Sequence, residues 1–74
     1  MKQKKQNLEF ELRGDYIELI KLLKLMRIAE SGGQAQLFVE NGEVSLNGVQ
    51  EHRKRAKLRR DDVVEIFDFL VTIK

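Results

Sequence analysis

Residues 44–62 read Val44-Ser45-Leu46-Asn47-Gly48-Val49-Gln50-Glu51-His52-Arg53-Lys54-Arg55-Ala56-Lys57-Leu58-Arg59-Arg60-Asp61-Asp62, and the rest of the chain is organised around them. Asn47-Gly48 is the dipeptide that most readily takes positive φ at both centres of a type I′ turn. With Leu46 and Val49 flanking it, the segment predicts a β-hairpin whose apolar face carries Val44, Leu46 and Val49. Beyond the turn come six cations, Arg53, Lys54, Arg55, Lys57, Arg59 and Arg60, with no acid among residues 52–60. In an extended chain successive side chains point to opposite faces. Ala56 and Leu58 then turn inward, and Arg55, Lys57 and Arg59 form an outward comb. Such an edge concentrates positive charge and suits phosphate groups.

Upstream of this stretch the period is helical. Tyr16, Leu19, Ile20, Leu23 and Met26 recur at helical spacing over residues 16–27, with Asp15 expected as N-cap and Glu18 completing a capping-box-like pattern. Lys21, Lys24 and Arg27 step by three, a drift of about 60° per step, so they share one broad face that is either plainly solvated or part of a binding surface. Ser31 is expected to cap a second, shorter helix over residues 34–41 whose buried side is Ala35, Leu37 and Phe38, with Val39 a further candidate, and which stops at Asn41-Gly42. Its Gly32-Gly33 start leaves backbone amides accessible. It fits an anion site and equally a plain interhelix turn. So short a connection predicts an αα-hairpin.

At the two ends the period is two. Leu8, Phe10 and Leu12 alternate with charged residues and predict a strand over residues 8–12. Val64 and Ile66 predict another strand, while Phe67, Phe69, Val71 and Ile73 run one residue out of phase with them. A bulge, bend or change of sheet face is therefore expected near residue 67, with the last strand pairing with residues 8–12. Tyr16 and the four Phe fit core positions, so base stacking on aromatic rings is not expected.

The composition is that of one small domain. Seventy-four residues bury about 60% of the surface their unfolded form exposes. With five Gly and no Pro there is no flexible linker. We expect a flexible basic tail over residues 1–6, solubilising or loosely attracted to polyanions, and a single domain over residues 7–74. The net charge of +2, from 14 basic and 12 acidic residues, says little by itself; the local run after residue 52 says more. There is no Cys, hence no disulfide and no thiolate metal site, and no apolar run approaches the roughly 20 residues that span a bilayer. A soluble, cytoplasmic monomer with no membrane partner is expected.

Little in the chain suggests catalysis. His52 is the only histidine and lies among cations that oppose its protonation, which suits a surface residue or a contact for a base. Asp61 and Asp62 face opposite ways in an extended chain. Glu40 and Glu43 lack the further ligands a metal requires, and there is no phosphate loop, dinucleotide fingerprint or zinc spacing. No enzyme, cofactor or metal is expected.

Gly42-Glu43-Val44-Ser45-Leu46-Asn47-Gly48, together with the Ser-started helix, the basic run, Leu58 and Asp62-Val63-Val64-Glu65-Ile66, resembles the alpha-L RNA-binding domain. That family is named for a small-subunit ribosomal protein and includes small stand-alone bacterial members. The likeness covers about residues 16–66. It implies an α+β fold, a two-helix hairpin packed on a small, mostly antiparallel sheet, here with N- and C-terminal strands added. It also implies a surface for structured RNA, ribosomal or transfer, and an association with the ribosome. Lys24, Arg27 and Ser31 would act at the helix junction, and Arg53, Arg55 and Lys57 beyond the hairpin. Lys21, Lys54, Arg59 and Arg60 add charge around them. Where relatives place cations, this chain has Gly32 and Gln36, so Gln34 and Gln36 would offer hydrogen bonds to sugar or base. Relatives also show Gly-Asp where this chain has Asp61-Asp62, which asks Asp61 for a glycine-like turn conformation. Two other classes fit the residues less well: an adaptor for an acidic protein, and a ubiquitin-like or sulfur-carrier domain, which would need a Gly-Gly end in place of Thr72-Ile73-Lys74.

Overall fold

Asn47 and Gly48 take φ of +52° and +86°, the pair of left-handed residues that joins β3 (Val44–Leu46) to β4 (Val49–Gln50) in a two-residue turn. In this computed structural model, which describes residues 5–74, the hairpin forms one side of a five-stranded sheet. The strand order is β1-β7-β6-β3-β4, with β1 at Gln6–Phe10, β6 at Val63–Ile66 and β7 at Phe69–Ile73. The β1–β7 pair is parallel, in register from Gln6↔Phe69 to Phe10↔Ile73, and the other pairs are antiparallel.

The register places Leu8 and Phe10, Val71 and Ile73, Val64 and Ile66, and Val44 on one face. Against that face pack Leu19, Leu22 and Leu23 of α1 (Leu19–Leu25) and Ala35 and Val39 of α2 (Gly32–Glu40), forming one core. Every buried side chain among the described residues is apolar. This is the α+β architecture expected, a helix hairpin on a mostly antiparallel sheet with a strand added at each end.

The first helix starts later than its spacing predicts. Asp15 does not cap it, and residues 17–18 are extended. They form β2 (Ile17–Glu18), which pairs antiparallel with β5 (Lys57–Leu58) in the register Ile17↔Leu58 and Glu18↔Lys57. Glu18 stands at the N-cap with an extended backbone and no side-chain bond. The amides of the first turn go instead to the basic segment, Leu19 N–H to the Ala56 carbonyl at 2.9 Å and Ile20 N–H to the Lys54 carbonyl at 3.1 Å. A ladder pair and two carbonyls from distant sequence thus take over the role of the local cap. The helix also ends sooner than expected, in a Schellman arrangement: Arg27 N–H bonds the Lys24 carbonyl, Ile28 N–H bonds the Leu23 carbonyl, and Arg27 has φ +59°. Arg27 therefore leaves the helical face that carries Lys21 and Lys24.

The second helix agrees with its sequence signals. Ser31 Oγ accepts the Gln34 amide at 3.1 Å, and Gly42, at φ +77°, closes a second Schellman turn through the Val39 and Phe38 carbonyls. Leu37 is the exception, 56% exposed where a buried position was expected.

The phase change near residue 67 is a hairpin turn, with Ile66 paired to Phe69 across Phe67-Asp68. Two turn residues shift the inward set from even to odd numbers while keeping both strands on the same face. Phe67 takes φ +52°, is 44% exposed and meets Phe38 edge to face at 5.0 Å, so it is not a core residue. Val49 also departs from expectation. It lies opposite Leu46 but on the short edge strand, and is exposed. Residues 1–4 of the expected tail lie outside the described residues. The strand already begins at Gln6, and Lys5 Nζ bonds the Phe67 carbonyl and Glu65 Oε2, both at 2.9 Å.

Candidate nucleic-acid interface

The basic run is held from both ends. Upstream, Ala56 and Leu58 are buried, and the carbonyls of residues 54 and 56 are bonded to the start of α1. Downstream, Asp62 Oδ2 accepts the Arg59 amide at 2.8 Å while its Oδ1 accepts Asn47 Nδ2 at 3.0 Å, and Asn47 Oδ1 accepts the Val63 amide at 2.8 Å. The hairpin turn is thereby tied to the turn that ends the comb. Asp61 takes φ +77° there, the glycine-like conformation its position demands.

Between these ties, Arg53, Arg55, Ala56, Lys57 and Arg59 line a single open groove of about 390 Å³ with no acid among its lining residues. The expected alternation holds: Arg55, Lys57 and Arg59 are exposed while Ala56 and Leu58 are buried. The cations differ in how free they are. Arg53 forks onto Glu51, Nε to Oε2 at 3.0 Å and Nη2 to Oε1 at 3.2 Å. That hydrogen bond holds the Glu51 carboxyl below the usual carboxylate range, against the opposing effect of its burial, and pushes Arg53 higher still. Arg60 turns away from the comb, with its guanidinium on the carbonyls of Gly14 and Leu12, both at 3.0 Å. Lys57 Nζ lies 4.9 Å from the centre of the Tyr16 ring. Lys54 is exposed outside the groove lining.

The second expected group sits at the helix junction. Lys24 is exposed, and its stem passes the start of α2, where a Cβ on Gly32 would lie 3.7 Å from Lys24 Cδ. Arg27 is exposed just beyond. Gln34 is engaged in the cap: its Oε1 accepts the Glu30 amide at 2.6 Å, while Gln36 Nε2 reaches Glu40 Oε2 at 3.5 Å. Both glutamines therefore have partners of their own. The comb touches the beginning of α1, and Lys24 and Arg27 lie at its end, about 10 Å along the axis at 1.5 Å per residue. Lys21 is exposed between them and lines a separate groove with Arg13 and Tyr16. Sequence reasoning missed two participants. Glu51 was detectable, because in an extended chain it shares a face with Arg53 two residues on. Tyr16 was not, since its helical spacing with Leu19 and Leu23 reads as core, yet it is 43% exposed.

Other chemistries find less to use. Among the described residues no group of three or more His, Cys, Asp or Glu could hold a metal ion. No helix among them is long and apolar enough to cross a membrane.

The fold and its hairpin motif place this protein in a known class. The S4 domain model matches residues 10–74, and the chain belongs to that family. YbcJ of Escherichia coli (strain K12) is 44% identical to it over 43 residues, 58% of this chain and 61% of that one, so the aligned part spans less than two thirds of that relative. A Bacillus subtilis (strain 168) protein named "Probable ribosome maturation protein RlbA" is 40% identical over 55 residues, 74% of this chain and 78% of that one. The solution structure of E. coli YbcJ, described as revealing an alpha-L motif involved in RNA binding, matches with a TM-score of 0.71 at 31% identity, covering 99% of this chain and 94% of that one.

Proposed function

We propose that this protein is a non-catalytic RNA-binding module that holds structured RNA, ribosomal or transfer, through its phosphate backbone. The observation that carries this reading is the acid-free groove in which the fold sets Arg53, Arg55, Lys57 and Arg59 side by side. Lys54 adds to the field. Lys24, Arg27 and the Ser31-capped start of α2 would supply a second phosphate contact at the far end of α1. Lys21 lies between the two. Neutralising phosphates releases counterions, so binding should weaken steeply with salt and depend more on shape than on sequence. The description of YbcJ as RNA-binding and the name of RlbA support the same reading and point to the ribosome as the setting.

Copurification of the tagged protein with and without ribonuclease tests it. Loss of the bound partners on ribonuclease treatment is the expected outcome. Partners that survive treatment and carry acidic surfaces would identify an adaptor for proteins instead.

A further inference from the structure

Tyr16 is the aromatic residue that the structure brings to the comb. Its ring lies under Lys57 Nζ at 4.9 Å and is 43% exposed. The same residue is one wall of a mostly apolar groove of about 320 Å³, whose other walls include Phe10, Leu12, Ile17 and Leu25, with Arg13, Lys21 and Glu11 also lining it. That volume is at the lower end of the range of small-molecule clefts, roughly 300–1,000 Å³. Leu25 is 56% exposed, so the groove leaves apolar surface facing water.

An apolar slot of this kind beside an acid-free row of cations fits a ligand that is anionic on one side and flat and apolar on the other. We infer that the groove takes an unpaired RNA base, stacked on Tyr16 in place of the Lys57 ammonium, which turns with Arg55 to the phosphate attached to that base. The apolar walls Phe10, Leu12, Ile17 and Leu25 suit the base and not the phosphate, which sets the polarity, backbone over the comb and base inward. This inference rests on the RNA-binding reading and narrows it. The preferred RNA has a bulge, loop or single-stranded extension next to its duplex, because a fully paired base cannot leave its stack without cost.

The test uses the full chain and two RNAs: a blunt hairpin, and the same hairpin with a short single-stranded extension carrying 2-aminopurine. The wild-type protein should quench 2-aminopurine fluorescence and bind the extended RNA about ten-fold more tightly than the blunt one, as expected for one base stacked on an aromatic ring. Tyr16→Leu should lose both the quench and the preference for the extended RNA, and Tyr16→Phe should retain both. Equal binding of the two RNAs without quenching, or a Tyr16→Leu variant that behaves like wild type, overturns the base site and leaves the phosphate comb standing. Failure to bind either RNA overturns the comb as well. Sedimentation as a dimer that Tyr16→Leu dissociates would assign the groove to a second copy of the chain and overturn the base site.

Discussion

The six cations after the hairpin are not equivalent in the structure, and replacing them in two sets should separate RNA contacts from structural ties. Arg55, Lys57 and Arg59 are exposed in the groove, whereas Arg60 is bonded to the Gly14 and Leu12 carbonyls and Arg53 is forked onto Glu51. Changing Arg55, Lys57 and Arg59 together to Gln removes three phosphate contacts. At about 0.7 to 0.9 per contact, the slope of log affinity against log salt should fall by about two to three, and affinity at 0.1 M salt by on the order of a hundred-fold. The fold should hardly notice, since exposed substitutions of this kind usually change stability by no more than about 0.5 kcal/mol. Arg60→Gln should do the reverse. Losing a charged donor to two backbone carbonyls should cost about 1 kcal/mol, read as a fall of about 4–8 °C in Tm, with the salt slope changed by less than about one. Fluorescence anisotropy with a labelled RNA hairpin from 50 to 200 mM salt, paired with thermal melts, measures both quantities. A triple variant with an unchanged slope, or an Arg60→Gln variant that loses as much slope as the triple, would refute this division of roles.

Two further outcomes follow from the ties at the edge of the comb. Asp62→Ala leaves the Arg59 amide and Asn47 Nδ2 without their acceptor, and should cost about 1–2 kcal/mol by denaturant melt while weakening RNA binding through loosened placement of Arg59. For Glu51, the folded pKa lies below the unfolded value because of Arg53, so its contribution to stability is present above the unfolded carboxyl range near about pH 4.3 and is lost as pH falls through the lowered pKa. The stability difference between wild type and Glu51→Gln should therefore shrink on acidification below that range; a difference that stays constant in acid would show that the Arg53 pair contributes no pH-dependent stability.

Much of the architecture could be read from consecutive residues. Asn47-Gly48 requires a tight hairpin because both turn positions need positive φ, and it forms one. Ser31 and Gly42 bound the second helix because a hydroxyl acceptor and a left-handed glycine satisfy its end groups. The alternation through Arg55 to Arg59 sets the cations outward whatever they pack against, because a strand has a period of two.

Other features were settled only by partners distant in sequence. Asp15 and Glu18 carry the local signals of a helix start, but residues 17–18 pair with Leu58 and Lys57, and the helix is capped by carbonyls from residues 54 and 56. Arg60 looks as free as the other cations until the carbonyls of Gly14 and Leu12, 46 and 48 residues away, take two of its five donors. Tyr16 has the spacing of a core residue and becomes a surface ring under Lys57. The composition, turn chemistry and periodicity of the sequence determined which groups exist and which way each segment turns them. Which cations stay free, and which aromatic ring stands beside them, was decided by tertiary contact, because a donor spent on a carbonyl brought in from elsewhere in the chain is no longer available to a phosphate.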